Sequence, residues 1–172
     1  MPRPTLRLAT EADLPAINSI YNYYVIHSTC TYQTDPATAD ERSAWFAAHG
    51  PQYPVTVAET DGEVIGWGSL SRFHPRAAYR PTVENSVYVR QDRLARGIGR
   101  LLLDDLIDRA DELGYHSMIA GISADQEPSV KLHARAGFAK VGELREVGRK
   151  FERWLDVVYM QLILEPRHIS GR

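Results

Sequence analysis

The sequence predicts one mixed α/β (α+β) domain over residues 1–172, built on a mostly antiparallel seven-stranded sheet with about four flanking helices. Three observations lead there. Runs with β alternation and stretches with helical spacing follow one another in the order β-α-α-β-β-β-α-β-α-β-β. Asp61-Gly62 joins two of the β runs with a hairpin signal, which makes the front half antiparallel. Residues 82–123 read strand, helix, strand, the form of a parallel crossover, whereas a doubly wound fold would alternate more regularly.

Residues 5–9 alternate as a first strand, and Thr10 with Asp13 opens a helix over 11–28, where Leu14, Ile17, Ile20, Tyr21 and Tyr24 form an apolar stripe. Thr38 and Glu41 have capping-box spacing and start a short second helix carrying Trp45 and Phe46. Residues 53–73 hold the two β runs of the hairpin, and a Pro-flanked loop, "FHPRAAYRP", leads to a strand over 82–90. From Ile98 a helix places Leu101, Leu102, Leu106, Ala110 and Leu113 on one side and most of its acidic residues elsewhere. Residues 115–123 read as a short buried strand, and 127–137 as a helix with Pro128 in its first turn and Gly137 as its stop. Two strands, over 138–147 and 154–165, close the chain, and the tail 165–172 has the composition of a frayed end.

A chain of 172 residues is long enough to bury ~70% of its unfolded surface in one core. Its 20 basic and 22 acidic side chains are interspersed rather than gathered into a basic stripe, which argues against nucleic acid as partner. The one cysteine, Cys30, cannot form an internal disulfide, and no spacing of Cys and His suggests a metal site. The start lacks the apolar core of a signal peptide and no run is long enough to span a membrane, so a cytoplasmic protein is expected.

The chemistry concentrates at "VYVRQDRLARGIGRLLLDDLIDRADELG", where a strand passes through Gly97 and Gly99 into a helix. Free N–H groups and the positive end of the dipole favour an anion there, with Arg96 and Arg100 adding charge. A P-loop would need a Lys and a Ser or Thr that are absent, and the dinucleotide fingerprint fails because its third glycine position is Leu102. Glycines that merely ease the strand-to-helix turn remain open on the residues alone.

"LARGIG" resembles the (Gln/Arg)-x-x-Gly-x-(Gly/Ala) signature of the GNAT superfamily of acetyltransferases, although Leu94 stands where the family has Gln or Arg and Arg93 lies one place earlier. "IYNYYVIHSTCTYQTDP", "TVENSVYV", "SVKLHARAGF" and "VGRKFERWLDVVYMQL" are similar to blocks of the phosphinothricin and methionine sulfoximine N-acetyltransferase group, so the resemblance spans about Leu6 to Leu164. It implies the GNAT fold, acetyl-CoA as cosubstrate, a small amine as acceptor and a homodimer. The pyrophosphate would lie on the backbone of Ala95, Arg96, Gly97, Ile98, Gly99 and Arg100. The pantetheine and thioester would lie along Val87, Tyr88 and Val89, where one N–H faces the developing oxyanion.

An α-amine is mainly protonated at neutral pH, so a base must take its proton, and the resemblance points to Glu84. A glutamate in a strand is costly to bury unless it is paired or working; a solvated face or an ion pair is the plain alternative. His133 stands where many GNAT enzymes have the Tyr that protonates the departing thiolate, so it is a candidate acid or a cofactor contact, as are Ser129 and Gln126, the last in place of the group's common Asn. The resemblance places the loop with Arg76, Tyr79 and Arg80 over the acceptor, where guanidinium forks match carboxylate and tetrahedral oxygens. His74 takes a place often filled by Arg. Tyr32 and Lys150 are further acceptor-side candidates, while Tyr23 and Trp154 read equally as core and Cys30 needs no reactivity.

The function implied is transfer of acetyl to the α-amine of an amino-acid-like substrate such as phosphinothricin, methionine sulfoximine or methionine sulfone. The rivals are the same machinery acting on another small amine or a peptide N-terminus, and a non-catalytic CoA-binding regulatory module.

Overall fold

The computed structural model describes residues 3–164. The expected frayed tail therefore lies outside the described residues. Strand β1 (Thr5–Leu8) is followed by a single 3-10 turn (Glu11–Asp13) and helix α1 (Leu14–His27), whose Leu14, Ile17 and Ile20 are buried as their spacing requires. At the start of α1 the guanidinium of Arg7 bonds Asp13 at 2.7 and 2.8 Å, and Asp13 in turn accepts from the Thr10 amide at 2.8 Å. The reciprocal Thr38–Glu41 capping box starts α2 (Ala39–Ala48) as its sequence predicts.

Strands β2 (Val55–Thr60) and β3 (Glu63–Arg72) meet at a hairpin in which Asp61 and Gly62 have φ of 53° and 78°, the left-handed pair of a tight turn. Strand β4 (Thr82–Val89), helix α3 (Ile98–Glu112) and strand β5 (Ser117–Ser123) form the expected crossover, and β4 pairs β5 in parallel. Helix α4 (Glu127–Arg135) stops at Gly137, whose φ is +97°.

The strands run β1-β2-β3-β4-β5-β7-β6 across one seven-stranded sheet. The last two strands depart from their expected limits. β6 continues over Ala139–Lys150 and turns at once into β7 (Arg153–Ile163), which inserts between β5 and β6. The turn residues, Phe151 and Glu152, have φ of 50° and 59° without being Gly, Asn or Asp, which is why turn chemistry does not reveal them. A register shift between Leu144 and Gly148 bends β6 within this pair.

Alternation divides the sheet between two cores. Leu70, Val83, Met118 and Val158 meet Leu103 and Leu106 of α3 in one. Trp67, Val55 and Val57 meet Leu14, Ile17 and Ile20 of α1 in the other.

Candidate active site

The sheet opens at its centre. β4 and β5 pair only through Thr82–Ser117, Val83–Met118 and Glu84–Ile119, yet β4 runs on to Val89 and β5 to Ser123, held on its other side by β7. The two strands thus splay beyond Glu84. The space between them is a narrow cleft lined by Asn85–Tyr88, Ala120–Ser123, and Gln126, Ser129 and His133 of the α4 region.

Strand geometry decides which main-chain groups enter that cleft. The Arg90 amide bonds Ile65 in β3, so by alternation the groups of Tyr88, Ser86 and Glu84 also face β3, and those of Asn85, Val87 and Val89 face the gap. Of the expected Val87–Tyr88–Val89 edge, Val87 is therefore the residue with both main-chain groups open to the cleft. The Tyr88 backbone belongs to the β3 ladder, and the Val89 carbonyl accepts from the Tyr24 hydroxyl at 2.6 Å.

Glu84 sits at the fork. Its side chain is half-buried, an added Cβ at Gly121 would lie 3.3 Å from its Oε1, and no hydrogen bond to its carboxylate is found among the described residues. Burial raises its pKa above the usual carboxylate value. No ion pair to it is found among the described residues, and its neighbour is Gly121, where an added Cβ would crowd the carboxylate.

His133 lies under β4, 4% exposed. Its Nδ1 is 2.8 Å from the Ser129 carbonyl, which can only accept, so Nδ1 carries the proton. Nε2 then accepts from Asn85 Nδ2 at 2.9 Å, and burial lowers the ring's pKa, which favours this neutral form. The same chain of bonds turns Asn85 Oδ1 the other way, where it is buried without a partner beside the cleft. Asn85 was not singled out in the sequence; an amide one place after Glu84 on a strand gives no local signal.

At the strand-to-helix junction Ala95 and Gly97 are both left-handed, with φ of 58° and 79°, and Gly97 offers α3 no side-chain cap. The N–H groups of Ile98, Gly99 and Arg100 in the first turn consequently have no intrahelical partner, and they follow a loop whose residues 94–97 are exposed. Gly97 is required for its backbone angle and not for space, since a Cβ there would touch nothing within 4 Å. The Arg100 side chain is held by Asp104 at 2.8 Å and the Arg135 carbonyl at 2.8 Å, so its expected contribution to an anion is limited to its amide and a partly neutralised charge.

A polar strap joins the segment after α1 to the start of α4. Asp125 Oδ1 accepts from Thr29 at 2.7 Å and from Ser123 at 2.8 Å, and Gln126 Nε2 donates to Thr29 at 2.8 Å. The amide nitrogen of Gln126 thus serves the strap. The Tyr32 hydroxyl lies 3.0 Å from Ser123 Oγ and 2.8 Å from the Asp156 carbonyl, and its ring packs on Gly148 of β6, where an added Cβ would lie 2.6 Å from it.

The acceptor-side candidates fall in different environments. Lys150 is 5% exposed and donates to the carbonyls of Ser28 at 2.7 Å and Thr31 at 2.8 Å; it ties down the end of α1 and is not directed to a ligand. Arg76, Tyr79 and Arg80 stand exposed on a 3-10 turn, with Tyr79 packed on Phe73 and His74. Tyr23 is at the surface against Tyr24 and His27, and Trp154 is 61% exposed, so neither belongs to the core. Burial raises the Cys30 thiol pKa, and the cysteine lines the cleft in its unreactive form.

On the sheet face opposite His133 the pairs Trp67–Tyr88, Ser69–Ser86 and Ser71–Glu84 form successive rungs. A pocket of about 330 Å³ lies above them, closed by Tyr21, Gln33, Arg42 and Trp45. Arg42, in "DERSAWF", also carried no sequence signal.

Comparison with known proteins identifies the family and the fold. The family model described as acetyltransferase (GNAT) domain matches residues 6–159. An L-methionine sulfoximine/L-methionine sulfone acetyltransferase of Pseudomonas paraeruginosa is 44% identical over 164 residues, covering 94% of this chain and 95% of its own. A phosphinothricin N-acetyltransferase of Streptomyces coelicolor is 40% identical over 162 residues, 91% of this chain and 94% of its own. The solved structure of a GNAT superfamily phosphinothricin acetyltransferase from Sinorhizobium meliloti in complex with AcCoA matches with a TM-score of 0.91 at 39% identity, covering 94% of this chain and 88% of that one.

Proposed function

The chain belongs to the GNAT acetyltransferase family, and on that premise we propose that it moves acetyl from acetyl-CoA to the α-amine of a small amino-acid-like substrate, of the kind represented by methionine sulfone, methionine sulfoximine and phosphinothricin. The observation that carries this reading is the unpartnered Glu84 carboxylate at the fork between β4 and β5.

The residues suit acetyl-CoA. The uncapped first turn of α3 offers amides to the pyrophosphate, and the free β4 edge at Val87 offers an N–H and a carbonyl to the amides of the pantetheine arm. Bound acetyl-CoA would supply the thioester: the amine nitrogen bonds to the acetyl carbon, the C–S bond breaks, and the departing thiolate takes up the second proton that the nitrogen sheds as the amide forms.

Glu84 takes the proton that the ammonium group must lose, directly or through one water. Its raised pKa makes it a better base than a solvated carboxylate. The Val87 N–H is the donor for the carbonyl oxygen, and a fixed donor of this kind contributes about 3 kcal/mol in comparable sites. The neutral His133 holds its proton on Nδ1 against Ser129, so in this arrangement it orients Asn85 instead of supplying a proton.

Acetylation would remove the positive charge by which such amino acids are recognised, the basis of a detoxifying role. The reading extends to a cytoplasmic homodimer. No described helix is long and apolar enough to cross a membrane. The β6–β7 hairpin exposes Val141, Leu144, Val147 and Trp154, an apolar surface suited to a second copy of the chain. Sedimentation analysis tests the dimer.

The direct test of function is thiol release from acetyl-CoA over a panel of amines, run beside Glu84→Gln. Turnover of sulfone, sulfoximine or phosphinate amino acids, lost by about 10²-fold or more in the variant, is expected. Binding of acetyl-CoA without turnover of any amine would leave a binding module instead.

A further inference from the structure

Arg42 is 5% exposed, yet it forms no ion pair among the described residues. Its Nε donates to Asn18 at 3.1 Å, and its guanidinium carbon lies 4.6 Å from the Tyr21 ring centroid, 4.7 Å from that of Trp45 and 5.8 Å from that of Trp67. Three aromatic faces hold the cation in place, and desolvation lowers its pKa, the sign of a charge taken out of water without an anion beside it. Its terminal nitrogens have no hydrogen-bond partner among the described residues, and the rings that hold it are walls of the pocket above β3 and β4.

That pocket lies on the sheet face that carries Glu84, and it is lined as far as Ser71, the register partner of Glu84. Its floor is the row of rungs that ends at Glu84, with Ser69 and Ser86 between Glu84 and the Trp67–Tyr88 pair under Arg42. Glu84 and Tyr88 are four residues apart on β4, roughly 13 Å along the strand. An α-carboxylate is two bonds from its amine and stays near Glu84. An extended side chain then points along the row of rungs toward Arg42.

We propose that Arg42 is a specificity residue that binds the oxygen-bearing end of the acceptor's side chain, a phosphinate, sulfoximine or sulfone group, through its free guanidinium fork. The assignment rests on the acetyl-transfer reading above. It moves this recognition from the exposed loop with Arg76 and Arg80 to a buried cation already held in place. A planar fork presents two parallel donors to two oxygens on one tetrahedral centre, and the aromatic cage fixes it beforehand, so little side-chain entropy is lost on binding. The serine hydroxyls on the floor suit the polar groups between the two ends.

L-Methionine sulfone and L-methionine separate this site from the rest of the machinery, because they differ only by the two sulfonyl oxygens. In the unaltered protein kcat/KM for the sulfone is expected to exceed that for methionine. In Arg42→Met, which keeps the apolar stem against the aromatic rings, that preference is expected to fall by roughly 10- to 100-fold while KM for acetyl-CoA is unchanged. Arg42→Lys, retaining charge without the fork, is expected to fall between the two. Calorimetric binding of the sulfone to the CoA-loaded protein gives the same comparison without turnover, and thermal melting establishes that each variant is folded.

An equal loss for both amino acids in Arg42→Met would place Arg42 on the α-carboxylate and overturn the assignment. So would an unchanged preference, or the absence of any preference in the unaltered protein. If the sulfone binds and depends on Arg42 but no acetyl is transferred, the site stands and the proposed reaction falls.

Discussion

The imidazole of His133 accepts a 2.9 Å hydrogen bond from the Asn85 amide at Nε2 while its Nδ1 lies 2.8 Å from the Ser129 carbonyl. The ring therefore acts through Asn85, whose Oδ1 is left as a buried acceptor beside the cleft. A ligand N–H or S–H placed there would satisfy it. Asn85→Leu and His133→Phe are expected to raise KM for acetyl-CoA by roughly 10-fold, the worth of one hydrogen bond in a buried site, and to leave the basic limb of the pH profile where it was. A basic limb that disappears in His133→Phe would restore the histidine as the acid. The neutral ring also sets a stability limit. Its folded pKa is below the ordinary 6.5, so the unfolded chain takes up a proton that the folded chain refuses, and stability falls as pH drops below 6.5. Melting His133→Phe across that window should show a weaker dependence.

Glu84 titrates above the ordinary value of 4.5 because it is buried. The base is active when ionised, so kcat/KM should rise with pH through that elevated pKa, and the rise should be absent from the residual activity of Glu84→Gln. For stability the sign is reversed. The ionised carboxylate is disfavoured in the folded state, a cost absent below 4.5 and complete above the folded pKa. Glu84→Gln should consequently melt higher than the unaltered protein at pH 8 and not at pH 4, a trade of stability for function readable by calorimetry.

Asp13 is held at a pKa of about 2, against 3.8 normally, chiefly by its bonds to Arg7, and it also fixes the entry to α1. A lowered carboxylate pKa stabilises the fold above 3.8, and that contribution is lost as pH falls through about 2. Discounted for the 41% exposure of the Arg7 side chain, it is worth about 1–2 kcal/mol at neutral pH. Asp13→Asn should lower Tm by roughly 2–8 °C at pH 7 and by little at pH 2.

The β6–β7 turn places Phe151 and Glu152 in left-handed backbone, where a side chain is strained. Replacing the pair by Asn-Gly should stabilise the protein by about 1 kcal/mol, a rise in Tm of roughly 2–4 °C. The exposed Phe151 ring would be lost with it, so an unchanged or lower Tm would mean that its contact with Lys150 outweighs the strain.

Much of this protein is legible locally. Asp61-Gly62, the Thr38–Glu41 box, Pro128 with Gly137, and Gly97 each act within a few residues, where backbone angles and caps are decided, and each appears in the structure where the sequence places it. The length of β6 escaped because its turn uses residues that turns disfavour. Lys150 was misread because a cation near a family block looks like a ligand contact until the Ser28 and Thr31 carbonyls are seen around it.

By itself, the sequence determined the order of the elements, the glycine junction and a glutamate on the strand before it. Only the tertiary structure decided that β7 enters between β5 and β6, that β4 and β5 part after Glu84, which tautomer His133 holds, and that Arg42 is caged without a counter-ion. The reason is physical. The first group depends on local dihedral preferences, whereas the second depends on desolvation and hydrogen bonding between residues as far apart in sequence as Asn85 and His133, which meet only once the sheet has formed.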